Sequence, residues 1–271
     1  MTKENTENKK KRKLKIRFKI LLLIIIVIVY SLTIGNMGIF TKDIIIKSSN
    51  IKNGLESAKI VQFSDLKYNS KTKDSDIKKI VKEINKSKAD IVVFTGDLIS
   101  KKHNIKKSEI EFLKTELSKI NARCAKLYIL GDEDFDESKN ILNASYFTDA
   151  SSSEQVVYFN KASISFVGID NINDYIANEH LSDFKVLLIH NPKDIEKIND
   201  YKFDLAVAGH TLNGEINIPK LKELFINSKY VNEKNKYKNT IMYVNPGLGK
   251  GKLNARLFNH PTIYLYRLKS A

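Results

Sequence analysis

The sequence predicts an α/β domain, a mixed β-sheet flanked by α-helices, preceded by one N-terminal transmembrane helix. Three observations carry this. Short β-branched runs alternate with amphipathic helical stretches through most of the chain, five of those runs end in Asp or His, and residues 20–40 contain no charge. The 271 residues leave about 230 beyond the apolar stretch, enough for one large domain with a real core.

Residues 1–19 hold nine Lys/Arg against Glu4 and Glu7 and form a basic cytoplasmic tail. Residues 20–40 would give about 31 Å of helix, the thickness of a bilayer's hydrocarbon core. The basic residues before the helix outnumber Lys42, Lys47 and Lys52 after it, so the positive-inside bias keeps the N-terminus cytoplasmic and the domain extracellular. A cleaved signal peptide is the rival reading, but 31–35 (SLTIG) lacks a clear small-x-small cleavage site. Residues 41–57 are expected to be a linker and entry segment, and 58–271 the folded domain.

Residues 59–64 read as a strand, and Ile77, Ile80, Val81 and Ile84 mark one apolar face of a helix over 74–87. A second strand, 91–95, precedes a helix with an expected capping box of Ser108 and Glu111 ahead of Leu113, Leu117 and Ile120. Residues 126–130 form a third strand. An antiparallel hairpin is expected over 155–159 and 163–169, so the sheet is not wholly parallel. Residues 184–189 and 204–208 are further strands around a short helix begun near Pro192, and 240–244 and 262–267 close the chain. Cys124, the single cysteine, excludes a disulfide framework and is expected to pack beside an interior strand.

About half of the +15 formal charge sits in the tail, and the remaining Lys are spread along helical faces without an aromatic-rich basic cluster, which argues against nucleic-acid binding. Residues 247–252 (GLGKGK) lack phosphate-loop spacing and read as a basic turn. In open α/β sheets, ligands bind beyond the carboxyl ends of the strands. Those ends here are Asp65-Leu66-Lys67, Gly96-Asp97, Gly131-Asp132-Glu133-Asp134, His190-Asn191 and Gly209-His210. Each alone is ordinary turn chemistry, but hard carboxylates and imidazoles at one end of one sheet point to a divalent metal, Mn, Zn or Fe.

These blocks resemble the calcineurin-like metallophosphoesterases, especially a membrane-associated bacterial branch with phosphodiesterases acting near lipids or cell wall. The family's motifs D-x-H, G-D-x-x-D, G-N-H-D/E, a lone His before Asn-Pro, and G-H-T-H-G-G-Q match residues 65–67, 96–100, 131–134, 190–192 and 209–215 in order and spacing. Residues 244–249 and 255–258 resemble its closing segment. The resemblance covers 58–268 and implies a metallophosphoesterase-like mixed β-sheet sandwich and phosphoester hydrolysis on two metals. One metal would use Asp65, the positions of Lys67 and Leu212, and the bridging Asp97. Leu212 has no lone pair and Lys67 offers only donors, so this first site is expected to be vestigial. The second would use Asp97, Asp132, His190 and His210, all competent ligands.

The departures lead to two readings. In one, a single metal remains, the Lys67 ammonium either fills the place of the other and pairs with Asp65 or simply points to solvent, and the protein hydrolyses a phosphorylated lipid or envelope substrate. Glu133, at the family's His, would act as an acid only with a raised pKa. In the other, the domain is a pseudophosphoesterase that binds without turnover. Asp134 is expected to support its neighbours, Ser100, Asn213 and Glu215 are further departures, and His103, His180 and His260 are expected at the surface.

Overall fold

The computed structural model describes residues 3–52, 54–159, 161–177, 182–210, 229–230, 232–249 and 255–271. Leu212, Asn213, Glu215, His180 and the basic turn beyond Gly249 lie outside the described residues.

Helix α1 (Lys3–Leu32) carries the apolar stretch. It ends earlier than the expected 40 because the hydroxyls of Ser31 and Thr33 turn back onto the carbonyls of Val27 and Val29, and Asn36 Nδ2 donates to the terminal carbonyls of Ser31 and Leu32. A short 3₁₀ turn at Ile34–Asn36 follows. Phe40 already starts a strand, β1 (Phe40–Ser48), so the first half of the expected 41–57 linker is part of the sheet.

Strands β2 (Lys59–Phe63), β3 (Ile91–Thr95), β4 (Ala125–Ile129) and the short β5 (Thr148–Asp149) run parallel in one sheet. The C-terminal strand β12 (Thr262–Ser270) lies antiparallel to β2 and parallel to β1, giving the order β1-β12-β2-β3-β4-β5. The second sheet contains β6 (Gln155–Phe159), β7 (Ala162–Gly168), β8 (Phe184–Ile189), β9 (Leu205–Ala208), β10 (Lys234–Tyr237) and β11 (Thr240–Val244), in the order β10-β11-β9-β8-β7-β6. Its β7, β8, β9 and β11 are parallel, and the hairpins add antiparallel edges.

The sheets form a sandwich because both inner faces are apolar: Ile60, Val93 and Ile129 meet Phe166, Leu188 and Val207 in one buried cluster. Helices α2 (Asp74–Lys86), α3 (Lys107–Ser118) and α4 (Asp136–Ala144) cover the outside of the first sheet. The apolar face of α2 is the predicted one, with Ile77 and Ile84 fully buried; truncating either to Ala would cost about 2–5 kcal/mol. Helix α5 (Ile172–Ala177) and a 3₁₀ turn over Pro192–Ile198 cover the second sheet. The cap of α3 lies earlier than expected: Glu109, not Glu111, accepts the Lys106 N–H at 2.8 Å, and the helix starts at Lys107. Cys124 is exposed, because it precedes β4 rather than lying under it.

One buried polar residue joins the sheets just below their carboxyl ends. Gln62 of β2 donates to Thr95 Oγ1 at 3.0 Å and to the Ala208 carbonyl of the other sheet at 2.9 Å, and accepts from Tyr266 Oη at 2.7 Å. All of its partners are protein groups, so burying it fixes the relative position of β2 and β9 without an unpaired amide.

Candidate metal centre

The functional side chains leave their strands through left-handed backbone. Asp65, Lys67, Asp97 and His210 have φ of 49°, 46°, 62° and 63°. Asp and His visit this conformation more readily than most residues, whereas Lys67 adopts it at a cost that the surrounding contacts must cover. Gly96 is required beside them: its φ is +93°, and a Cβ there would sit 2.7 Å from His190 Nδ1 and from Gly131 Cα.

Asp97, His190 and His210 converge, with one ligand atom from each inside a mutual 4.8 Å. His190 Nδ1 lies 2.7 Å from the Thr95 carbonyl, so that nitrogen carries the proton and Nε2 faces the cluster. His190 Nε2 is 3.3 Å from Asp97 Oδ2 and 3.2 Å from His210 Nδ1. Burial works against a charged His190, but the contact with Asp97 and the charge of Asp65 outweigh it and raise its pKa to about 9. Asp132, the fourth predicted ligand, stands apart: it is 61 % exposed, and its carboxylate reaches His210 Nδ1 at 3.2 Å without joining the three-residue cluster.

Lys67 is the second feature of the centre. Its side chain is only 12 % exposed, and Nζ lies 2.9 Å from Glu133 Oε1, 3.1 Å from Asp97 Oδ2 and 3.8 Å from Asp65 Oδ1. The expected pairing with Asp65 is therefore the longest of three, and the ammonium does not point to solvent. Burial alone would push its pKa down; Asp65, Asp97 and the hydrogen bond to Glu133 raise it instead. Asp97 is held well below the usual carboxylate range by His190 and Lys67 despite its burial. Asp65 moves the other way, because desolvation and the charge of Asp97 exceed the pull of His190 and Lys67.

Glu133 does not fit an acid. Against the effect of burial, the Lys101 N–H and Lys67 lower its pKa, so it is a carboxylate paired with Lys67. Asp134 is a brace: it accepts the N–H groups of Asp97 at 2.7 Å, Leu98 at 2.8 Å and Gly131 at 2.9 Å, tying the loop after β3 to the loop after β4. Asp65 Oδ2 accepts from Ser64 Oγ at 2.6 Å and from the His210 N–H at 3.0 Å, which joins the two sheets. His103 is tucked between Glu109 and Tyr68 rather than lying at the surface, and takes no part in the centre.

The donor set suits a divalent cation. Among the described residues, Asp65 Oδ1 and Asp97 Oδ2 are buried without a hydrogen-bond partner: Lys67 Nζ is too far from the first at 3.8 Å, and the contacts of the second with Lys67 and His190 are ion pairs without hydrogen-bond geometry. With His190 neutral, as a metal ligand must be, Asp65, Asp97 and Glu133 against Lys67 leave the cluster two charges negative when all are ionised, the amount a divalent ion balances. The Lys67–Glu133 pair escaped a residue-by-residue reading. Its signal was present in the pattern, because Lys67 and Glu133 stand at two positions where the resembling family has His, and the replacements carry opposite charges.

The sequence profile of the calcineurin-like phosphoesterase family matches residues 58–250. An uncharacterized metallophosphoesterase of Bacillus subtilis, YkuE, is 32% identical over 248 residues, covering 86% of each chain. The UDP-2,3-diacylglucosamine pyrophosphatase LpxG of Chlamydia muridarum is 25% identical over 283 residues, covering 79% of this chain and 84% of that protein. The profile match, the two-sheet architecture and the carboxylate–histidine cluster at the strand ends agree: the chain belongs to the calcineurin-like phosphoesterase family.

Proposed function

We propose that the protein is a membrane-anchored phosphoester hydrolase, with its domain on the extracellular face, that works with one divalent metal and uses Lys67 as a fixed positive charge where relatives would hold another. The observation that carries this reading is Lys67 Nζ among Asp97, Glu133 and Asp65. Asp97, His190 and His210 would hold the metal, with Asp132 close to His210. When bound, such an ion polarises a phosphoryl oxygen and lowers the pKa of a coordinated water.

The residues of the chain do the rest. The hydrogen bond from His190 Nδ1 to Thr95 keeps Nε2 turned toward the cluster, and Asp134 holds the loop carrying Asp97 in place. Lys67 supplies an ammonium that is already charged and oriented, so it can neutralise a phosphoryl oxygen without reorganising in the reaction. Glu133, 30 % exposed, is the partner that an incoming phosphate would displace from Lys67. A lipid-linked or envelope phosphoester as substrate is supported by the named activity of LpxG and by the one helix among the described residues, Lys11–Asn36, apolar enough to span a membrane. The basic tail supports a cytoplasmic N-terminus.

Glu133 favours a second reading, binding without turnover, since an ionised carboxylate has replaced a proton donor at the mouth of the site. Hydrolysis of a phosphodiester by the full-length protein with added Mn distinguishes the two. Turnover that disappears in Asp97→Ala is expected. Phosphodiester binding without turnover in the parent protein would establish the second reading and overturn the first.

A further inference from the structure

The last residue of the closing segment is an exposed aromatic that the hydrolytic centre does not use. Phe258 is 63 % exposed and has φ of +57°, a conformation rarely adopted by a bulky side chain. Its ring lies 6.3 Å from that of Tyr30 in the last turns of α1. Two residues earlier, the Arg256 N–H donates to the Ser31 carbonyl at 2.9 Å, and Gly35 fits against the Arg256 main chain, where a side chain would overlap it. Residues 33–39 are all that separate α1 from β1, so the domain rests on the end of the helix. Ile34, Met37 and Phe40, in or next to this connection, are also at least half exposed.

We propose that Phe258, with Ile34, Met37 and Phe40, is a wedge seated in the outer leaflet of the bilayer, fixing the domain against the membrane. This rests on the reading that α1 spans. The uncharged stretch ends at this connection, so a spanning helix puts Tyr30 near the interface and brings Phe258, in ring contact with it, to a similar depth. Aromatic side chains favour that zone, and an interfacial apolar face sits about 5–10 Å into the headgroup–acyl boundary. The bilayer explains what covers these apolar groups and why the loop holds Phe258 in a costly conformation. The wedge is also joined to the active centre. The buried Arg256 guanidinium donates to the carbonyls of Pro246, Gly247 and Gly249, while the Gly249 N–H donates to the Asp65 carbonyl at 2.6 Å. A lipid-borne phosphoester would therefore meet a site held in fixed relation to the bilayer.

The chain has no tryptophan, so variants with one introduced indole report cleanly. Full-length Phe258→Trp and, separately, Ile25→Trp are reconstituted in phosphatidylcholine–phosphatidylglycerol vesicles with lipids brominated at shallow or deep acyl positions. The Ile25→Trp variant is expected to be quenched by deep bromines. The Phe258→Trp variant is expected to show blue-shifted emission, quenched by shallow bromines and shielded from aqueous acrylamide. Lipid quenching of Ile25→Trp while Phe258→Trp is quenched only by acrylamide overturns the wedge and leaves the anchor standing. Absence of lipid quenching in Ile25→Trp overturns the anchor and the wedge together. An unchanged thermal melt in detergent confirms that each variant is folded.

Discussion

Replacing Lys67 by Met removes the ammonium and keeps most of the stem, which isolates its charge. At an effective dielectric of about 20, an ammonium interacts with a carboxylate at the observed 3.1 Å to Asp97 by about 5 kcal/mol, at 2.9 Å to Glu133 by about 6 kcal/mol, and at 3.8 Å to Asp65 by about 4 kcal/mol. Glu133, partly in water, contributes less than its distance suggests. Desolvation offsets much of the total, so the expected loss is that of a buried pair deprived of one partner, about 3–5 kcal/mol. For a domain of this size that lowers the melting temperature by roughly 6–20 °C. The assay is thermal unfolding of the full-length protein in detergent, first with EDTA and then with Mn. In Lys67→Met, Asp65 and Asp97 lose their cation, so Mn should stabilise the variant by more degrees than it stabilises the parent. A metal-free variant melting within about 2 °C of the parent would refute the buried ion-pair assignment.

The same geometry sets the remaining expectations. Glu133→Gln removes an ionised carboxylate beside Lys67; KM for an anionic phosphodiester should fall by on the order of 1 kcal/mol, roughly fivefold, in steady-state kinetics. Asp134→Ala leaves the N–H groups of Asp97, Leu98 and Gly131 without their acceptor and should cost at least about 3 kcal/mol in a thermal melt, with metal affinity reduced by roughly 10–100-fold in a competition titration. Metal binding requires His190 Nε2 without a proton, and the metal-free pKa is about 9, so apparent affinity should rise roughly tenfold per pH unit up to that value in calorimetric titrations. The linked stability has the opposite sign: the raised pKa stabilises the metal-free fold fully below the unfolded value of about 6.5, and this is lost as pH rises through about 9.

Much of the fold was legible because its signals are local. Residues 91–95, 184–189 and 240–244 are strands as read, since each is a short apolar run with a sharp polar end. Strand β1 was hidden because its pairing is not local: Phe40 aligns with Thr262 at the other end of the chain, and 41–47 (TKDIIIK) resembles a juxtamembrane linker. Helix α4 escaped because Ile141 and Leu142 are its only large buried side chains, too few to establish a period. Within the centre, residue types at the strand ends pointed to Asp97, His190 and His210, which the fold brings together. What they could not supply was the pairing of Lys67 with Glu133, which depends on two left-handed turns, at Lys67 and Asp97, bringing together loops 66 residues apart. Asp132 shows the converse: it stands at the expected place in the sequence pattern, but its exposed side chain stops at His210.

The central claim, a single metal beside a built-in ammonium, is tested most directly by metal analysis of the full-length protein after incubation with excess Mn or Zn and removal of unbound ion. One equivalent per chain, lost in His190→Ala, is the predicted result; two equivalents per chain would contradict it.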